Sequence, residues 1–95
     1  MLVFVLIGVH QNKLNDVLNK LRSLGNKYLN KVHLVYGEYD IIAELKALNP
    51  ESSASILKNI RDTDGVIDLK TYVASDQLPE DDYRTLQPIE EYLSI

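Results

Sequence analysis

An unbroken apolar run, Met1-Leu2-Val3-Phe4-Val5-Leu6-Ile7, opens the sequence, and nothing in it alternates. Seven residues rich in β-branched side chains, too few for a buried helix, read as a strand covered on both faces and therefore central in its sheet. The period then changes. Leu14, Val17, Leu18, Leu21 and Leu24 recur at spacings of three and four, which predicts a helix over Asn12–Leu24 with Gly25 as its stop. Tyr28–Val35 alternates, with Val32, Leu34 and Tyr36 on one face and Lys31, His33 and Val35 on the other; Ile41–Leu48 is apolar on both sides apart from Glu44 and Lys46. Asn49-Pro50-Glu51 then has the residues of a helix start, and Ser53, Ile56, Leu57 and Ile60 continue it on one face. Arg61-Asp62-Thr63-Asp64-Gly65 ends that helix. Val66–Ala74 is the last strand, with Ile67, Leu69, Thr71 and Val73 on one face and Asp68, Lys70 and Tyr72 on the other.

The order is β-α-β-β-α-β, two βαβ halves joined by a hairpin, which predicts an α+β, ferredoxin-like sandwich. Right-handed crossovers place both helices on one side of an antiparallel sheet and make the first and third strands central. Helices then cover one face and leave Leu, Val and Ile of those strands bare on the other. A second copy packed sheet on sheet, as a dimeric α/β barrel, is the expected cover.

Between the second and third strands stands Val35-Tyr36-Gly37-Glu38-Tyr39-Asp40. Gly37-Glu38 reads as a two-residue hairpin turn, with glycine supplying positive φ at its first central position. Asp40 is not explained by a turn, because strand propensity is against it and burial without a partner would cost about 2 kcal/mol or more. Something must satisfy that carboxylate, turn amides or a ligand.

The 95 residues make one domain of marginal size for a monomer, with 45% hydrophobic and 25% charged residues, values of a chain with a packed core. No cysteine is present, which rules out disulfides and thiolate metal sites. The apolar opening is too short to span a bilayer and lacks the basic start and cleavage site of a signal peptide, so a cytoplasmic protein is expected. Net charge is −4: residues 1–75 hold nine Lys/Arg against eight Asp/Glu, and residues 76–95 hold one against six. A near-neutral body with an acidic tail argues against direct nucleic-acid contact. Within the tail, Leu78-Pro79-Glu80-Asp81-Asp82 has the form of a helix start. Tyr83, Leu86, Ile89, Tyr92 and Leu93 recur at helical spacing around Pro88, which suggests docking on the same subunit or on its partner.

Val35-Tyr36-Gly37-Glu38-Tyr39-Asp40-Ile41-Ile42-Ala43, followed after a helix by Gly65-Val66-Ile67-Asp68-Leu69-Lys70-Thr71-Tyr72-Val73, resembles the effector-binding domain of the Lrp/AsnC family of feast/famine regulators. The resemblance covers residues 1 to about 75, so 1–75 is expected to be the ligand-binding domain and 76–95 an acidic, helical tail. The sequence begins at the first strand of that domain, without the family's helix-turn-helix, and resembles a stand-alone ligand module. The resemblance implies dimers through the sheet faces, rings of dimers, an amino-acid effector held between dimers, and full-length regulators of the same family as partners. It places the ligand contacts at Tyr36, Gly37, Glu38, Tyr39, Asp40 and Thr71. Gly37 would offer backbone amides to a ligand carboxylate, Asp40 would receive the α-ammonium or orient the loop, and Thr71 would add a hydroxyl. Tyr36, Tyr39 and Tyr72 could wall a pocket or simply pack with wet hydroxyls.

Other readings compete. A purely structural partner, mixing into regulator oligomers without a ligand, accounts for the same fold. A small dimeric barrel enzyme would use His33, Tyr36 or Asp40 in a cleft lined by His33. His10 and His33 lack metal-ligand spacing, no nucleophile or phosphate-loop motif occurs, and neither enzymatic activity, cofactor nor metal is expected. An ACT-type module expects an aspartate-to-glycine loop where this chain has Gly8-Val9-His10-Gln11. An RNA-recognition domain expects stacking aromatics on strands one and three, where only Phe4 is available and the third strand after Tyr39 has none.

Overall fold

The computed structural model describes residues 2–46 and 49–74. The expected tail helix and its docking fall on residues 76–95, outside the described residues. In chain order the elements are β1 (Leu2–Val9), a 3-10 turn (Gln11–Lys13), α1 (Leu14–Arg22), the short α2 (Gly25–Tyr28), β2 (Leu29–Leu34), β3 (Ile41–Lys46), α3 (Pro50–Arg61) and β4 (Val66–Val73). The strands form one antiparallel sheet in the order β2-β3-β1-β4. This is the expected ferredoxin-like α+β fold with the first and third strands central.

Register explains where the core lies. β1 lines up Val3, Val5 and Ile7 with Leu45, Ala43 and Ile41 of β3, and these six residues are buried together with Val17, Leu18 and Leu21 of α1 and Ile56 and Ile60 of α3. Each aliphatic side chain removed from water there stabilises by roughly 1.5 to 3 kcal/mol before ordering entropy is subtracted. The alternate residues Leu2, Phe4, Leu6 and Ile42 stay half-buried on the side away from the helices.

The Asn49-Pro50-Glu51 reading holds at atomic detail: the Asn49 carboxamide oxygen accepts from Ser52 N at 2.7 Å, and Pro50 occupies the first turn of α3. Asn49→Ala should therefore cost about 1 kcal/mol. Thermal denaturation followed by circular dichroism should show the midpoint lowered by about 4 to 8 °C; an unchanged midpoint would mean that the cap contributes nothing.

Three expectations need correction. The helix expected over Asn12–Leu24 is split, because residues 11–13 wind as a tighter 3-10 turn before α1, and α1 stops at Arg22. Gly25 has φ +71°, as befits a stop, but the chain then makes the helical turn α2, so β2 begins at Leu29 and not Tyr28. The third correction concerns the link between β2 and β3. It is a six-residue loop, Val35–Asp40, and Gly37 is not in the positive-φ region; among the described residues only Gly25 and Gly65 are. The backbone bond that closes the loop runs from Val35 N to Asp40 O, one residue outside the Tyr36–Tyr39 pair that a two-residue turn would need.

Candidate functional site

Both ends of the loop are tied down. Val35 N donates to Asp40 O at 2.9 Å, and Asp40 N donates to Ile7 O at 3.0 Å. The Asp40 carboxylate accepts from Val9 N at 2.9 Å. That amide is available because β1 outruns β3 beyond Ile7 and its register with β4 shifts between Gly8 and Val9. Asp40 thus stands in for a missing strand partner at the outgoing end of β1, a role that the turn-amide reading did not foresee. One oxygen is engaged by Val9, and the half-buried side chain lies at the edge of the loop.

Between these anchors the loop is open. Tyr36, Gly37 and Glu38 are exposed, and a Cβ added at Gly37 would meet nothing within 4 Å. Neither backbone angle nor packing therefore demands glycine there. Tyr39 is half-buried, and its hydroxyl is held above the ordinary range by desolvation, then by the Asp68 carboxylate, with Lys70 opposing. Tyr39 accordingly lies toward β4 and not toward Tyr36.

Thr71 is not brought to the loop. It pairs with Val5 and shares the helix-facing side of β4 with Leu69. Asp40 lies one step beyond the Ile7–Ile41 pair on the far side of β1, so about 10 Å along the strands and about 10 Å across them separate the two residues. Within one chain, the structure gathers Tyr36 and Asp40 at one groove, leaves Gly37 and Glu38 on the adjoining loop, and sets Tyr39 and Thr71 elsewhere.

That groove has a volume of 370 Å³ and is lined by Val9, Gln11, Leu14, Leu34, Val35, Tyr36 and Asp40. Its walls come from β1, the start of α1 and the end of β2. Sequence reasoning missed Val9, Gln11, Leu14, Leu34 and Val35 because they are ordinary core-forming types in separate segments. The one available signal was Leu34, an apolar residue on the helix side of an edge strand that α1 does not cover, and it is 59% exposed. A wider groove of 480 Å³ between α2 and α3, lined largely by serines, Asn59 and Glu51, lies at the opposite end of the sheet. It holds no residue that the sequence singled out for binding.

His33 is on the open sheet face, paired with Glu44 at 2.9 Å, and does not line the groove beside Tyr36. The cleft lined by His33 that an enzyme would need is not formed at the loop. No helix among the described residues is long and apolar enough to cross a membrane.

A βαββαβ sheet with a tethered, exposed loop beside an apolar groove defines a small ligand-binding module of ferredoxin-like fold. The chain belongs to the Lrp/AsnC ligand binding domain family, whose profile matches residues 2–83. It is similar in structure to the hypothetical protein PHS023 from Pyrococcus horikoshii, at 23% identity and a TM-score of 0.67 over 80% of this chain and 90% of that one. TTHA0845 from Thermus thermophilus superposes with a TM-score of 0.70 at 22% identity, covering 83% of this chain and 98% of that one. E. coli AsnC gives a TM-score of 0.68 at 17% identity over 83% of this chain, which corresponds to 54% of AsnC. None of the curated proteins compared matches the sequence.

Proposed function

We propose that this chain is a regulatory sensor module that binds an amino acid or related metabolite at the Val35–Asp40 loop, and that it acts by changing its association with other proteins. The observation that carries this reading is Gly37. A glycine that the fold does not require, on an exposed loop beside a groove with an acid at its edge, fits close approach of a ligand to backbone. In this reading the loop amides around Gly37 meet the ligand carboxylate. The Asp40 oxygen not engaged by Val9 takes the ammonium, and Tyr36, Leu34, Leu14 and Val9 receive an apolar side chain. Glu38 and Tyr39 flank the site. Thr71, distant in its own chain, contributes only from a neighbouring copy.

The half-buried apolar residues Leu2, Phe4, Leu6 and Ile42 support a second copy over the open face, as in a dimeric barrel or a ring of dimers. A net charge of −4 supports action through protein partners, Lrp/AsnC regulators among them, and not through direct DNA contact. In this reading residues 1–75 are the binding domain, 76–95 an acidic tail, and the protein is cytoplasmic and without catalytic activity.

Thermal denaturation with each common amino acid tests the proposal. One of them, at a hundred times its Kd, should stabilise by about 2.7 kcal/mol, which raises the midpoint by roughly 10 °C or more. Sedimentation with and without that ligand should then differ, because a ligand shifts assembly only through unequal affinity for the two states. A panel that moves nothing sinks the sensor reading and leaves a ligand-free oligomerisation partner. Binding without any change in sedimentation removes the switching claim.

A further inference from the structure

Charge is not spread evenly along the strands. At one end of the sheet β1 and β2 begin, β3 and β4 finish and α3 starts, and there Lys20, Arg22, Lys27 and Lys46 are exposed beside Glu51. Glu38, Asp40, Asp62 and Asp64 gather at the other end, on the Val35–Asp40 loop and the turn into β4. The 480 Å³ groove lies at the basic end, with Leu24 and Tyr28 on one wall and Ser52, Ser55 and Ile56 of α3 on the other. Lys27 Nζ stands 5.4 Å from the centre of the Tyr28 ring, which puts an ammonium at the rim. Lys46 Nζ, donating to Asn26 O at 2.7 Å, adds a second beside α2. β4 delivers the chain to this same end: Ala74 N donates to Leu2 O at 2.8 Å, and the residues beyond it, 76–95, carry six acids against Arg84.

We propose that the chain's own tail occupies this groove, with residues 79–87 docked as a helix that lays Tyr83 and Leu86 on Leu24, Tyr28 and Ile56. Reach allows it. From Ala74 to Pro79 five residues of extended chain span up to about 17 Å, more than the strand spacing of about 5 Å and the helix diameter of about 10 Å that lie between. Pattern fits as well, since Pro79 suits a first helical turn and Tyr83 and Leu86, three apart, share one face. Glu80, Asp81 and Asp82 then stand in the first turn, where the helix dipole favours them, and meet Lys27 and Lys46. The short serine side chains leave room for a helix, while Leu24 and Ile56 give it an apolar floor. A second copy over the open face would hold its tail on the far side of the sheet, so the short link favours docking within one chain. The outer edge of β4, with which no strand pairs among the described residues, is the rival place. There Asp68 Oδ1 already accepts from Leu69 N at 2.9 Å, and the register with β1 shifts between Gly8 and Val9, so the edge offers no long regular ladder.

The sequence has no cysteine, so one nitroxide can be attached to the full chain at Ala54→Cys, exposed on α3 one residue from Ser55, and backbone amide signals followed by NMR. With the nitroxide-bearing, isotope-labelled chain diluted in excess unlabelled protein, the signals of residues 83–87 should lose most of their intensity and regain it when the nitroxide is reduced. A nitroxide at Glu38→Cys, on the loop at the opposite end, should leave them intact. Leu86→Asp should abolish the Ala54→Cys effect while the circular dichroism melt stays cooperative, and Lys27→Glu with Lys46→Glu should reduce it by about half or more, since attraction becomes repulsion. Full intensity at 83–87 with the Ala54→Cys nitroxide overturns the proposal. So does broadening seen only when nitroxide and isotope are on different chains, which puts the tail on a partner, or equal broadening from Glu38→Cys, which makes it a tail without a seat. Broadening that survives both Leu86→Asp and the double charge reversal overturns it as well.

Discussion

Leu21→Asp should leave no cooperatively folded protein at pH 7 and 25 °C. Leu21 is 1% exposed on α1, in the same cluster as Val17, Ile7 and Ile41, which are equally shielded from water. Removing the leucine side chain alone costs about 2 to 5 kcal/mol. An unpaired carboxylate in that position adds several more, because no cation in the cluster can answer it. Together these approach or exceed the roughly 5 to 15 kcal/mol by which a domain of this kind is stable. Circular dichroism should show a flat melt for Leu21→Asp and a cooperative, lower melt for Leu21→Ala. A cooperative melt near the original midpoint for the aspartate variant would place the core elsewhere.

The second large effect comes from setting two glycines against each other. Gly65 has φ +99°, and a Cβ built on it would stand 2.3 Å from Lys13 Cβ and 2.8 Å from Lys13 Cγ. The neighbour cannot easily give way, since the atoms met are Lys13 Cβ and Cγ, next to the backbone that leads directly into α1. Gly65→Ala should lose at least about 2 kcal/mol, combining strain at a left-handed angle with the clash. Gly37→Ala should be neutral or should stabilise by about 0.4 to 1 kcal/mol, because its φ is not positive and an added Cβ would meet nothing within 4 Å. Urea denaturation at constant m-value measures both. If Gly37→Ala also weakens binding of the amino acid found by thermal shift, its glycine serves the ligand; equal destabilisation of the two variants would contradict the geometry of both sites.

The contrast shows where sequence was a good guide and where it was not. Elements of clear period, such as β4 and α3 with its Asn49 cap, were legible because each repeats one local rule several times, and β1 was legible as an apolar run too short for a buried helix. The four-residue α2 was not, since a single turn is too short to display a period. Gly37 was assigned the positive angle that Gly25 and Gly65 adopt, because turn statistics cannot see that the loop closes at Val35 and Asp40 while Asp40 is also held by Ile7 and Val9. The need for a partner at Asp40 was readable; which partner was not, as 31 residues separate it from Val9. The face of β4 that carries Thr71 followed from alternation, but its distance from the loop depended on strand order and register. The groove is legible only in three dimensions, for Leu14 and Leu34 meet there from opposite sides of α2 in sequence.

An amide answered by the carboxylate next to it, as Leu69 is by Asp68, makes the rim of this sheet choosy instead of sticky. A foreign strand laid there meets an amide already occupied by a neighbouring carboxylate, which it must displace before its own carbonyl can bond. Fibrillar stacking, which recruits whatever backbone arrives, finds that amide of β4 already taken.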